Sequence, residues 1–254
     1  MGISPWALVA YLTLTNAPGG TPSPTLPLVV IDPGHGGEQL GAVGVCGLRE
    51  KDLTLAVSLE LERLLVASGR TRVLLTRRGD DLVELEERVR IANAGRADLL
   101  LSVHGNAAPG ENAHGVETYF VSRKAADKRI EQLAIIENDG VLERPVKGTL
   151  GRILDSLRVQ ASAAESQRFA KLVQASVSQR LEAYNRGVMQ APFFVLRMVD
   201  MASVLVELGF LTHPADCERL AQLDAQRRIA QGLAAAVLAH LSTSLEPVQA
   251  SIRP

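Results

Sequence analysis

The sequence predicts an α/β fold: a twisted, largely parallel mixed sheet of about six strands flanked by helices, with a helical insertion. Short β-branched runs alternate with stretches of helical periodicity through the first half of the chain, the rhythm that strand–helix–strand units produce. Hydrophobic residues make up 46% of the 254 positions, enough to bury a proper core without disulfide or metal staples. That length suits one substantial domain or two small ones.

Leu28–Asp32 (LVVID) ends at Pro33-Gly34 and reads as a buried strand running into a loop. A glycine-rich loop follows to Gly47. From Glu50 the pattern turns helical: Leu53, Val57, Leu61 and Leu64 share one face, and Gly69 ends it. Arg72–Thr76 is a second strand, Leu85–Ala94 a second helix, Asp98–Val103 a third strand and Val116–Val121 a fourth. Between Arg123 and Ala161 the helical pattern is broken and charge rises, with Asp139-Gly140 and Pro145 as punctuation. This stretch reads as an insertion carried on the domain. A long helix is expected from about Ser162, its apolar face formed by Phe169, Leu172, Val173, Val177 and Leu181. Phe193–Leu196 and Ser203–Val206 read as two more strands, and Asp216–His240 as a closing helix. The expected organisation is a leader over 1–27, one domain over 28–241 with its insertion at 123–161, and a polar tail over 242–254.

Ile3–Leu14 is apolar but too short to span a bilayer comfortably. Its length is that of a signal-peptide core, although no Lys or Arg precedes it, so export without stable membrane insertion is the expectation. With 27 basic against 28 acidic residues and no basic stripe, nucleic acid is not an expected partner. Cys46 and Cys217 could form one disulfide, but two isolated cysteines are more often unpaired, and no C-x-x-C spacing suggests a thiolate metal site.

Four residues stand out by placement. His35 follows the first strand, His104 ends the third and Glu207 ends the last, while Glu50 starts the helix after the loop that carries His35. In open α/β sheets chemistry gathers outside the carboxyl ends of strands, so all four can converge at one rim. Each has a plain alternative. A lone His after a strand is usually a hydrogen-bonded loop residue, a Glu at a helix start complements the dipole, and a Glu after a strand can be merely solvated. Yet both histidines sit in glycine-bounded turns after buried strands, which lets the backbone fold tightly around them. Two imidazoles and one carboxylate, with water in the fourth position, form the ligand set of a catalytic Zn²⁺ site. Amide cleavage at such a site needs a further carboxylate to take and pass on a proton, and Glu207 is available. No G-x-S-x-G elbow and no phosphate-binding loop competes with this reading.

The segments Val29–Gly37 (VVIDPGHGG), Glu50 in LREKDLTLAV, Arg70–Asn93, Ala97–Ala108 (ADLLLSVHGNAA), Gly115–Phe120 (GVETYF) and Phe193–His213 together resemble the zinc-dependent N-acetylmuramoyl-L-alanine amidases of the amidase-3 group. The resemblance covers nearly all of 28–241 in the right order. It implies cleavage of the lactyl–L-alanine amide of peptidoglycan in the cell envelope, with zinc ligands at His35, Glu50 and His104 and the catalytic glutamate at Glu207. Met201-Ala202 stands where the family commonly has Pro-Ser, and His213 where it commonly has Asn; neither touches a ligand position. His213 could alter substrate contacts, whereas His114 and His240 read as structural. In the amidases that split dividing cells, a helical insertion at this location blocks the metal until an activator with a LytM-type domain removes it. Residues 123–161 resemble that segment in placement, and Leu133–Asp139 its acidic part, with Glu137 the first candidate to reach the metal. The rival readings are another zinc carboxypeptidase or deacetylase, and an inactive peptidoglycan-binding regulator. Retention of all four polar positions disfavours the last.

Overall fold

The computed structural model describes residues 25–110, 112–140 and 148–244. The apolar N-terminal run, Pro145 and the end of the tail lie outside these residues. The strands are β1 (Leu28–Pro33), β2 (Arg72–Leu75), β3 (Leu99–Asn106), β4 (Val116–Val121), β5 (Asn185–Ala191) and β6 (Ala202–Phe210). They form one sheet in the order β2-β1-β3-β6-β4-β5. Every neighbouring pair is parallel except β4 with β6. The expected architecture is therefore present.

Alternation along the strands separates two cores. Val29, Ile31, Leu99, Leu101, Val204 and Val206 face α1 (Glu50–Ala67), α4 (Gly148–Leu181) and α7 (Leu223–Ser244). Val30, Leu100, Tyr119 and Leu205 face the other way, toward α2 (Leu85–Ala94), α3 (Lys128–Glu137) and α5 (Phe194–Arg197). Period-two geometry then fixes where the polar strand residues point: Asp32, His104, Glu117 and Glu207 share the parity of the second face.

The structure corrects several sequence expectations. Phe193–Leu196 is no strand; Phe193 is the extended cap of α5, and Val195 and Leu196 are buried in the second core. Periodicity cannot separate strand from helix in so short an apolar run. The strand in this region is β5, an edge strand whose residues are mostly half-exposed and so lack an apolar run to announce it. The long helix begins at Gly148 rather than near Ser162, so the second half of the presumed insertion is the start of α4. Two helices, α6 (Pro214–Leu220) and α7, replace the single closing helix. The first half of the insertion contains α3, started by the Asp127 side chain, which accepts from the Ile130 amide at 2.9 Å. Past its end, Asp139 and Gly140 both adopt positive φ, in keeping with the sequence signal there.

Cys46 and Cys217 form a disulfide across 171 residues of sequence. It ties the loop between His35 and Glu50 to α6. The spacing of two lone cysteines carries no information about this pairing, which depends on the fold bringing them together.

Candidate metal centre

His35, Glu50 and His104 converge on one rim, and Glu137 of α3 joins them: one ligand atom from each lies within 4.8 Å of the others. Glu50 Oε1 is 3.1 Å from His35 Nε2 and 3.0 Å from His104 Nδ1. Glu137 Oε2 lies 3.6 Å from His35 Nε2 and 3.1 Å from His104 Nδ1. A tetrahedral zinc with arms of about 2.1 Å has ligand–ligand edges of about 3.4 Å, so these separations fit such an ion. His35 Nε2 is buried without a hydrogen-bond partner, its approach to Glu50 being too poorly aligned to form one. A buried imidazole nitrogen that faces carboxylates without bonding to them has the setting of a metal ligand. The donor set therefore fits a divalent metal.

The local backbone explains how the ligands are presented. His35 has φ 58°, a left-handed conformation that strains a non-glycine residue. Two buried arginines hold this turn by its carbonyls. Arg88 donates to the oxygens of Pro33 (2.6 Å) and His35 (2.8 Å), and Arg77 to those of Pro33 (3.1 Å) and Gly34 (2.9 Å). A side chain at Gly34 would collide with the His104 ring at 2.5 Å, so glycine there lets the imidazole lie flush on the turn. Gly41, at φ 66°, passes equally close to the Glu50 carboxylate and the His35 ring. Glu50 is fixed from two sides, accepting from the amides of Ala42 (2.8 Å) and Gly105 (3.0 Å).

Arg88 is itself neutralised by Asp32, 2.7 Å away and fully buried, which also accepts from Thr76 and Ser102. Burial alone would raise the Asp32 pKa, but Arg88 and the Thr76 hydroxyl together hold it below the ordinary carboxylate value. A carboxyl lowered on folding stabilises the protein above its unfolded value of about 4, and that stabilisation is lost as pH falls through the folded value. Removing one partner of a buried pair leaves an uncompensated charge, at a cost of about 3–5 kcal/mol. Arg88→Met is accordingly expected to lower unfolding stability by that amount in urea titrations, and a loss below 1 kcal/mol would show the pair to be dispensable.

Glu207 is 1% exposed, stands in register with His104 on the neighbouring strand, and neither of its oxygens has a hydrogen-bond partner. Burial pushes its carboxyl well above the usual range; His104 opposes this, and the nearby carboxylates of Glu137, Glu50 and Glu117 add to it. His104 is raised despite its burial, because Glu137 and Glu50 stabilise its charged form. For Glu50, burial is likewise opposed by His35 and His104, which hold it well below the ordinary value. A dication among these groups would favour neutral imidazoles and ionised carboxylates.

All four residues singled out from the sequence are thus at one rim. Sequence reading assigns no role to Asp32, Arg77 or Arg88, and nothing in the local pattern around the two arginines announces one. Glu117 was passed over as well. It is fully buried and accepts from Arg129 (3.1 Å), Arg186 (2.6 Å), Asn106 (3.2 Å) and the Tyr119 hydroxyl. His213 caps α6, its Nδ1 accepting from the Asp216 amide at 3.3 Å, and stacks on His114 with ring centroids 5.0 Å apart. His240 packs against Phe169.

Comparison with known proteins follows the same lines. The family model described as N-acetylmuramoyl-L-alanine amidase matches residues 29–239. The N-acetylmuramoyl-L-alanine amidase AmiC of Neisseria meningitidis serogroup B is 33% identical over 247 residues, covering 95% of this chain and 59% of that protein. AmiC of Escherichia coli O6:H1 is 31% identical, covering 85% of this chain and 53% of that protein. The chain therefore spans between half and three-fifths of the length of these relatives. Among solved structures, an N-acetylmuramoyl-L-alanine amidase from Clostridium difficile 630 superposes with TM-score 0.67 at 28% identity, over 86% of this chain and 98% of that one. AmiC2 of Nostoc punctiforme does so with TM-score 0.66 at 30% identity, over 85% and 97%.

Proposed function

Because the chain belongs to the N-acetylmuramoyl-L-alanine amidase family, we propose that it hydrolyses the amide joining the lactyl group of N-acetylmuramic acid to L-alanine in peptidoglycan. His35, Glu50 and His104 hold Zn²⁺, and Glu207 is the catalytic carboxylate. The observation that carries this reading is the meeting of two imidazoles and one carboxylate at ligand spacing, beside a buried glutamate with both oxygens unpartnered. When bound, the ion supplies Lewis acidity, polarising the scissile carbonyl and lowering the pKa of water. The rest falls to the chain. The amides of Ala42 and Gly105 hold the Glu50 carboxylate in one orientation, and the Arg77–Arg88 pair fixes the His35 turn. Glu207 takes the proton of the attacking water and returns it to the departing L-alanine nitrogen.

Digestion of purified cell wall with and without chelator tests this. New N-terminal L-alanine that disappears with chelator is the expected result. Release of a C-terminal residue or of acetate would point instead to a carboxypeptidase or deacetylase, and no product at all to a binding protein.

The resting state is read as closed. Glu137 stands where a fourth ligand would, its Oε2 3.6 Å from His35 Nε2 and 3.1 Å from His104 Nδ1. The cavity beside His35, His104 and Phe193 measures about 250 Å³, below the roughly 300–1,000 Å³ of ordinary ligand pockets. Helix α3 is held at its end by Asn138, which donates to the Pro192 carbonyl and accepts from the Phe194 amide. Its displacement is a two-state change that a partner can bias. Leu150, Ile153, Leu154 and Leu157 form an exposed apolar stripe on the first turns of α4, each more than half exposed, which supports an activating protein, of LytM type by family resemblance. Glu137→Ala is expected to raise basal wall hydrolysis at least several-fold. Unchanged activity in a folded, metal-replete variant would mean that α3 is a passive excursion. Deleting 124–160 is a poorer test, since it removes Asp155, whose 2.9 Å bond to Arg197 is buried in the domain.

Action in the cell envelope and a role in cell division follow from the same reading. No helix among the described residues is long and apolar enough to cross a membrane.

A further inference from the structure

The loop from Gly36 to Arg49 joins two of the proposed ligands, His35 before it and Glu50 after it. Its β-pairing is confined to two isolated bridges, Gly36 with Gln39 and Val43 with Arg49. None of residues 34–47 belongs to either apolar cluster, and Val43 and Val45 are each 56% exposed. The shape of this loop is therefore set by polar and covalent ties rather than by burial. Its near half is clamped to the segment after β2. The Gly37 amide donates to Asp80 at 2.8 Å, and Lys51 donates to the Gly37 carbonyl and to Asp80, each at 2.7 Å. Its far half is tied to the exit of β6 and to α6. The Val45 amide donates to the Leu211 carbonyl at 3.0 Å, and Cys46 is bonded to Cys217. A Cβ at Gly44 would lie 2.4 Å from Cys217 Sγ, so the loop backbone runs directly against the bridge.

Between these two anchored halves lies the strip that touches the ligands. The Ala42 amide donates to Glu50 Oε2 at 2.8 Å, and the Ala42 carbonyl accepts from the Glu50 amide at 2.9 Å. Gly41 passes against both the Glu50 carboxylate and the His35 ring. Without the bridge, the exposed far half is held by hydrogen bonds that water competes for.

We propose that the Cys46–Cys217 disulfide is a positioning element of the metal site, through which the redox state of the surroundings sets how tightly the chain holds its ion. The inference rests on the zinc ligands proposed above and is independent of which bond the enzyme cleaves. Cys46 is exposed and Cys217 fully buried, so a dithiol enters at the Cys46 sulfur. One thiolate of the dithiol bonds to that sulfur. The S–S bond breaks, and its electron pair leaves on Cys217, which takes up a proton. The second thiolate then displaces Cys46, which is protonated in turn, and the dithiol closes into its own disulfide. Two electrons and two protons thus pass to the chain. The loosened loop no longer holds the Ala42 amide on Glu50. A reducing compartment keeps the chain metal-poor, and it takes up zinc where disulfides form.

The test compares the full oxidised chain with one carrying Cys46→Ala and Cys217→Ala, which cannot bind zinc through sulfur. Zinc affinity is read by competition with a chromophoric chelator, and the fold by circular dichroism. Groups that orient metal ligands are worth about 10- to 100-fold in affinity, so a loss of about 10-fold is expected with the spectrum unchanged. Amide exchange in the metal-free proteins should quicken at residues 41–48 and stay slow in β3 and β6, a local change that a general loss of stability would not give. Reducing and then re-oxidising the wild type should lower its zinc affinity and restore it. Equal affinity in the two chains overturns the proposal. So does unfolding of the variant, because a loop outside both clusters should be dispensable to the core. An oxidised wild type that binds no zinc overturns the metal reading and this inference with it. Cleavage of the wall amide is scored separately and reports on the amidase reading alone.

Discussion

His104→Ala is expected to abolish metal binding and activity together while the domain stays folded. The wild-type chain should carry about one zinc, as expected of a two-His, one-Glu catalytic site. His104 stands at the end of β3 on the parity of the second face, and its ring lies against the Gly34 turn rather than inside either apolar cluster. Removing it deletes one of three proposed ligands and releases Glu50 from a 3.0 Å contact, while the strand ladder to β1 and β6 is untouched. His35→Ala should behave alike, the positive φ at that turn being no easier for alanine than for histidine. Metal content by elemental analysis, paired with circular dichroism, separates ligand loss from unfolding. Stoichiometric zinc in a folded double variant would rule out this site.

Glu207→Gln is expected to keep the metal and lose turnover by about 10²- to 10⁴-fold, the usual worth of general acid–base catalysis. The amide nearly matches the carboxylate in shape, so a buried position in the middle of β6 tolerates it, yet it cannot accept the water proton. Folding stability should change little, since the substitution is nearly isosteric. The loss is to be read in kcat with KM little altered, since Glu207 acts on the proton rather than on substrate binding. Near-normal turnover in a zinc-loaded variant would make Glu207 structural.

Both predictions concern residues that were legible in the sequence. His35 and His104 follow apolar β-branched strands and are bounded by glycine, and a strand end in a parallel sheet has only one rim to face. Glu50 starts the helix that leaves the same loop. Local pattern was enough to bring these three together, and Glu207 with them, because strand direction and period-two alternation are backbone properties written into the apolar runs. Elements with an apolar face were legible for the same reason: β1, α1, α2 and the core of α4 lie where their periodicity placed them.

What the sequence by itself determined was therefore five of the six strands, most of the flanking helices and which polar groups meet at one rim of the sheet. Only the tertiary structure decided the rest. Edge strand β5 has no apolar run, and the short segment Phe193–Leu196 has no period long enough to choose helix over strand. Cys46 meets Cys217 because α6 folds back on the His35–Glu50 loop, a contact across 171 residues that no spacing encodes. The grip of Arg77 and Arg88 on the His35 turn, and of Arg129 and Arg186 on Glu117, likewise joins residues from different elements. Buried charges are stable only where partners complete them, and which partners are within reach is a property of the folded chain, not of any stretch of it.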